Sequence, residues 1–316
     1  MKRKLNVKKL IIFIIVVLTI FYGSYKWVKD YIYSGSIEGK LTLKGYNEDD
    51  ITFLIENLND KEINKILEKK YNKKYVNFIK EKYFIFDNLE KYISYSEKNE
   101  ELSFEKVVAI INTGANEEWY ENIFDSNLSD EESMLVNKFY TLNTYSPEDL
   151  IEIDLYYAFD DVFIREIALD SFESLCDAAK NNDITLVASL GYRSYQEQEN
   201  TYSNYRSYFG TREADNTVAR PGHSEHQTGL ALEIEPYGVD YEDATETKEY
   251  KWLIKNAYKY GFIQRYPEGK EDITGYEFEP WHYRYVGTDV SVKLYREKIT
   301  YDEYYAYYLK GKENEQ

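Results

Sequence analysis

Three histidines occur in this chain of 316 residues, and two of them, His223 and His226, lie three apart in "RPGHSEHQTGLALEI", residues 220–234. The third, His282, sits in "EPWHYRYVG". His226, His282 and one carboxylate would make the two-histidine, one-carboxylate ligand set of a catalytic zinc site, which leaves a coordination position for water. Imidazole and carboxylate ligands suit zinc in a chain whose single cysteine cannot supply a thiolate cluster. The histidines alone fit two unrelated surface residues as well, and their surroundings are what favour chemistry. Glu233, seven residues after His226, is a candidate for the carboxylate, and it is equally one more acid in an acid-rich chain. Glu279 lies three residues before His282, where a carboxylate beside a metal but not on it can take a proton from water. Arg193, in "LGYRSYQEQ", is a permanently charged fork suited to gripping a carboxylate in two-point fashion. Together these groups describe hydrolysis of a peptide bond next to a free C-terminal carboxylate.

The elements that must position them can be read from residue 135 onward. "IREIALDSFESLCDAAKNN" has the spacing of an amphipathic helix, with Phe172, Leu175, Cys176 and Ala179 on one face. "DITLVASLGYRS" reads as a buried strand ending in a glycine turn, and Ser194 is placed to cap a helix over "SYQEQENTYSNYRSYFG". "GLALEIEP" alternates as a strand, and "TKEYKWLIKNAYKYGF" is helical, with Trp252, Leu253, Ala257 and Tyr260 sharing a face. Helices and strands mixed without regular βαβ spacing predict an α+β domain built on an antiparallel sheet over residues 135–308. Residues 34–134 read as a mainly helical region of unassigned role, in which Asn47 caps a helix through Ile51, Leu54, Ile55 and Leu58. "EKVVAIINT" fits helix or strand, and residues 309–316 form a frayed tail.

At the N-terminus, Lys2, Arg3, Lys4, Lys8 and Lys9 precede an uncharged run from Leu10 to Tyr25. A basic head before an apolar stretch, with no small-residue cleavage site after it, predicts an uncleaved single-pass anchor over residues 1–33. The alternative is a cleaved signal that would release a secreted protein. Positive-inside orientation puts everything after about residue 30 outside the cytoplasm. A net charge of −18 argues against nucleic acid and against electrostatic capture by anionic lipid. With Cys176 alone, no intramolecular disulfide can form.

"GYRSYQEQ", "SEHQTGLALEI" and "EPWHYRYVG" resemble the three signature blocks of the VanY-like D-Ala-D-Ala carboxypeptidases, zinc peptidases that act on bacterial cell-wall peptides. "LVNKFYTLNTYSPEDL", at 135–150, matches where the peptidase domain of such proteins begins. The resemblance implies zinc ligation by His226 and His282, and Glu279 as the base that activates water. It implies that Arg193 holds the terminal carboxylate, with Gln198 and Ser224 lining the substrate pocket. His223 has no counterpart among the ligands and reads as a loop residue. Trp281 and Tyr283 are expected to pack around the site. At the remaining ligand position the family carries aspartate, whereas here it is Glu233, one methylene longer. A glutamate oxygen can bind zinc at the same distance, and Glu235, on the same strand face, is the substitute if it does not. The function implied is zinc-dependent removal of the terminal D-Ala from peptidoglycan stem peptides. Alternatives are an L,D-carboxypeptidase acting on tetrapeptide stems, and a cell-wall peptide-binding protein that has lost catalysis.

Overall fold

The structure is a computed structural model that describes residues 7–236 and 241–310. The basic residues Lys2, Arg3 and Lys4 and the tail beyond residue 310 lie outside the described residues. The chain divides into two compact units, one through Glu105 and one from Lys106 onward. Residues 106–134, grouped by sequence texture with the helical region, therefore fall in the second unit.

The first unit opens with α1 (Val7–Gly35), whose stretch Lys8–Gly35 is long and apolar enough to cross a membrane. At 1.5 Å per residue its 29 residues extend about 43 Å, well past the uncharged run that marked it in the sequence. Short helices follow: α2 (Ile37–Lys44), α3 (Glu48–Asn57), α4 (Asp60–Glu68), α5 (Lys73–Ile79) and α6 (Leu89–Lys98). Asn47 caps α3 by accepting from the Asp50 amide, and Ile51 and Leu54 are buried while Ile55 is exposed. Leu54, Ile63, Val76, Phe78 and Tyr92 supply buried apolar surface. The "EKVVAIINT" segment is helical, as α7 (Phe104–Thr113).

The second unit opens within α7 and continues with two strand pairs too short to show periodicity. They are β1 (Phe124–Asp125) with β2 (Tyr140–Thr141), and β3 (Leu150–Glu152) with β4 (Phe163–Arg165). Next come α8 (Glu166–Lys180), β5 (Leu186–Leu190), α9 (Tyr195–Phe209), α10 (Thr211–Thr217) and β6 (Ala231–Pro236). The chain finishes through α11 (Lys248–Asn256), β7 (Phe262–Gln264), α12 (Glu271–Thr274), β8 (His282–Tyr285), α13 (Thr288–Glu297) and α14 (Tyr301–Tyr304). The principal sheet has the order β5-β6-β8-β7, and all its pairings are antiparallel. This is the predicted α+β architecture.

Alternation along the two central strands divides the sheet into unlike faces. Leu232 and Ile234 of β6 and Tyr283 of β8 join Phe172, Leu175 and Leu253 in the main apolar cluster, where Cys176 is also buried. Burial pushes the Cys176 thiol far up, so it packs as a small hydrophobe. Glu233, His282 and Arg284 project from the other face.

Candidate active site

The sheet register does much of the positioning. Glu233 on β6 is the direct cross-strand partner of His282 on β8, so two residues far apart in sequence become neighbours through the backbone ladder. On the other side, Leu190 of β5 pairs with Glu233 after a register irregularity. The chain then turns through Gly191, where a Cβ would stand 2.2 Å from the carbonyl oxygen of Phe163. Only glycine fits this passage, and Arg193 follows at its exit. Ser194 caps α9 in a reciprocal capping box with Glu197, fixing where the helix starts.

His226 sits on a short 3₁₀ turn, Glu225–Thr228, ended by Gly229 in the left-handed region at φ +67°. Its Nδ1 lies 2.8 Å from the Gly191 carbonyl oxygen, to which it donates, so Nε2 is left as the lone-pair nitrogen. Nε2 faces Glu233 Oε1 at 3.7 Å. The backbone closes the loop, with the Arg193 amide donating to the His226 carbonyl at 3.2 Å.

His282 lies edge-on to His226, with ring centroids 4.8 Å apart. Its Nδ1 is 3.3 Å from Glu279 Oε2, and its Nε2 is 3.5 Å from Glu225 Oε2. The Glu279 amide donates to the Tyr266 carbonyl at 3.1 Å, holding the segment before β8 against the one after β7.

These groups line one cavity of about 220 Å³, together with Arg193, Thr201, Tyr266 and Tyr276. Ser224 is buried and lines it too. Gln198 does not: it is fully buried, and its Nε2 donates to the carbonyl of Ala219, a wall residue. Trp281 is part of the lining, whereas Tyr283 lies on the opposite strand face in the apolar core. The expectation that Tyr283 packs around the site is thus corrected by the alternation of β8. His223 packs edge-on against Tyr120 and bonds the Asn137 carbonyl, away from the cavity lining. Glu235 is engaged by the Ser189 hydroxyl and does not line the cavity.

Burial holds His226 far below its ordinary pKa, and the neighbouring Arg193 and His282 reinforce this, so its imidazole is neutral. Burial also opposes charge on His282, but hydrogen bonding and attraction from Glu225 and Glu279 outweigh it and lift the pKa to about 9. A nitrogen held between two acids in this way is in a place that welcomes positive charge. Arg193 is lowered by burial, with Glu233 and Glu279 pulling the other way. Its Nε is buried without a hydrogen-bond partner, as a donor awaiting an anion would be.

Glu225 had no signal in the sequence, where one acid among 57 acidic residues reads as solvated surface. It is almost wholly buried. Burial would raise its pKa, but Arg265 and Arg284 hold it well below the usual carboxylate range. Its Oε1 accepts from Arg265 Nε at 2.8 Å and Arg284 Nη1 at 3.1 Å. Arg265 is bound in turn by Asp302 at 2.6 Å, and Asp302 accepts from Asn137 at 2.8 Å.

Among the described residues, no three His, Cys, Asp or Glu side chains are grouped closely enough to hold a metal ion. Two of the candidate donors nevertheless stand at a spacing that zinc would accept. Ligands at ~2.0–2.2 Å around a tetrahedral ion stand roughly 3.3 Å from one another, close to the 3.7 Å between His226 Nε2 and Glu233 Oε1. Two imidazoles and a carboxylate lining one cavity, with a further acid alongside, are donor types that suit zinc.

Residues 161–288 match the VanY family, described as D-alanyl-D-alanine carboxypeptidase. The chain is 45% identical over 179 residues to the putative carboxypeptidase YodJ of Bacillus subtilis (strain 168). That match takes in 54% of this chain and 66% of YodJ, just under two thirds of its length. It is 35% identical to the bifunctional D-Ala-D-Ala dipeptidase and carboxypeptidase VanXYC of Enterococcus gallinarum, over 46% of this chain and 80% of that protein. Among solved structures, the LdcB LD-carboxypeptidase superposes with a TM-score of 0.56 at 41% identity, covering 59% of this chain and 91% of that one.

Proposed function

The chain belongs to the VanY family of D-alanyl-D-alanine carboxypeptidases, and from that premise we propose that it is a zinc-dependent enzyme releasing the terminal D-alanine of peptidoglycan stem peptides. The observation that carries the reading is the meeting of Arg193, His226, Glu233, Glu279 and His282 around one cavity. His226, Glu233 and His282 would hold the zinc. When bound, zinc supplies Lewis acidity to the scissile carbonyl and lowers the pKa of water to about 7.

The chain's own residues do the rest. Arg193, with its buried and unpartnered Nε, binds the substrate's terminal carboxylate and fixes which peptide bond lies over the site. Glu279 takes the proton from the attacking water and returns it to the departing amine of D-alanine. Ser224 offers a hydroxyl from the wall, and Gln198 steadies Ala219 behind it. The helix over Lys8–Gly35 and the basic head before it support a single-pass anchor with the peptidase outside the cytoplasm.

The likeness to the LdcB LD-carboxypeptidase favours a second reading, cleavage of tetrapeptide stems after an L-configured centre. One experiment separates the two. The full chain in detergent is incubated with pentapeptide and tetrapeptide stems, with and without a chelator, and released D-alanine is measured. Metal-dependent release from the pentapeptide supports the D,D reading, and preference for the tetrapeptide supports the L,D reading. Full release after metal removal overturns the zinc mechanism. Peptide binding with neither metal nor release identifies a binding protein instead.

A further inference from the structure

We infer that Glu225 is a positioning residue for the metal site: it fixes the tautomer of His282, and through it the nitrogen presented to the ion. This rests on the reading of His226, Glu233 and His282 as zinc ligands.

The geometry divides the Glu225 carboxylate into two halves with different tasks. Oε1 is saturated by Arg265 and Arg284. Oε2 and His282 Nε2 face each other at 3.5 Å, and neither has another hydrogen-bond partner. Two buried polar atoms with no alternative are each other's satisfaction once the gap tightens by a few tenths of an ångström. A carboxylate can only accept, so Nε2 must carry the proton. In the neutral ring, the state a metal ion selects, Nδ1 on the side of Glu279 is then the nitrogen with the lone pair.

The carboxylate cannot swing away. Arg265 is clamped from behind by Asp302, and Arg284 donates to the carbonyls of Glu132 and Met134 at 3.1 and 3.0 Å. Two cations and two anions thus form a buried, charge-balanced frame whose one unused oxygen points at His282. His226 is set the opposite way, because the Gly191 carbonyl takes its Nδ1 proton and leaves Nε2 free. The two histidines are therefore held in opposite tautomers, one by a backbone carbonyl and one by a framed carboxylate. Outer partners of this kind tune metal affinity in histidine sites generally.

The test uses the full chain in detergent, with Zn²⁺ titrated against a competing chelator. Three histidines make ¹⁵N-histidine spectra assignable. In the zinc form, His282 is expected to carry its proton on Nε2 and His226 on Nδ1. Glu225→Gln should weaken zinc binding about 10- to 100-fold. Asp302→Asn, which loosens the frame behind Arg265, should lower the melting temperature and weaken zinc binding by less than Glu225→Gln does. A proton on Nδ1 of His282 overturns the inference, as does folded Glu225→Gln binding zinc within threefold of wild type. Should Glu225→Gln fail to fold, the wild-type tautomer decides alone. A wild-type chain that binds no zinc brings down the metal reading and this inference together, whereas tight wild-type binding unchanged by Glu225→Gln brings down only the latter.

Discussion

The two faces of the β6–β8 ribbon are built from the same strands and obey opposite rules. On one face Leu232, Ile234 and Tyr283 vanish into an apolar core. On the other, Glu233, His282 and Arg284 stand among charges that are just as thoroughly enclosed. The apolar face gains stability from every buried carbon. The polar face is stable only because each charge has a partner, since a buried ion left alone costs far more than a mispacked methyl group. The proposed function resides where the second rule holds, and there removal of a single group is expected to matter most.

Substitutions on each face should therefore separate activity from stability. The largest effect is expected from Glu279→Gln, which keeps shape and loses the proton carrier: kcat should fall by about 10²–10⁴-fold, with bound zinc and melting temperature unchanged. Arg193→Met should lower kcat/KM by about 10- to 100-fold, mostly through KM, the worth of a charge-assisted grip. Esterifying the substrate's terminal carboxylate should erase the difference between the two proteins. On the opposite face, Leu232→Ala should cost about 2–5 kcal/mol of stability in urea unfolding, while the folded fraction keeps near-normal kcat.

Lys138 sharpens the contrast because it is a buried cation with no framed acid. Its Nζ donates to the Gly275 carbonyl and lies 4.4 Å from the Tyr276 ring centroid, and burial lowers its pKa to about 8. Below pH 8 the folded and unfolded chains both hold this proton. Between pH 8 and 10.5 the unfolded chain keeps a proton that the folded chain has lost, so raising the pH favours folding. Lys138 should contribute a rise on the order of 1 kcal/mol per pH unit from pH 8 to 9.5, read as the difference in slope between wild type and Lys138→Met, because His282, raised to about 9, contributes the opposite slope up to that pH. The smallest effect is expected at Ser194→Ala, where loss of the helix cap should cost about 1 kcal/mol and leave zinc affinity intact.

The apolar face was the more legible one in the sequence. The alternation of "GLALEIEP", the helical spacing of Phe172, Leu175 and Ala179, and the cap at Ser194 each correspond to an observed element. Local pattern carries that information because burial repeats with the period of the backbone. His226, His282, Glu279 and Arg193 stood out by residue type, and the structure brings them to one cavity. Glu225, Arg265 and Arg284 did not stand out, since charges that pair across long loops look in sequence like charges facing water. The strands of β1 to β4 were too short for a period to show. Gln198 illustrates the limit of residue matching, for the structure puts it one layer behind the cavity wall.

The pairing of Glu233 with His282 has one more consequence. Both side chains hang from the same rung of one antiparallel ladder, so the motion that would dismantle the site is the parting of β6 from β8. Amide protons along these strands should exchange with solvent only as often as that zipper opens. A cation gripping both strands would act as a rivet, and its arrival should be readable as slowed exchange at Leu232 and Tyr283, on the face it never touches.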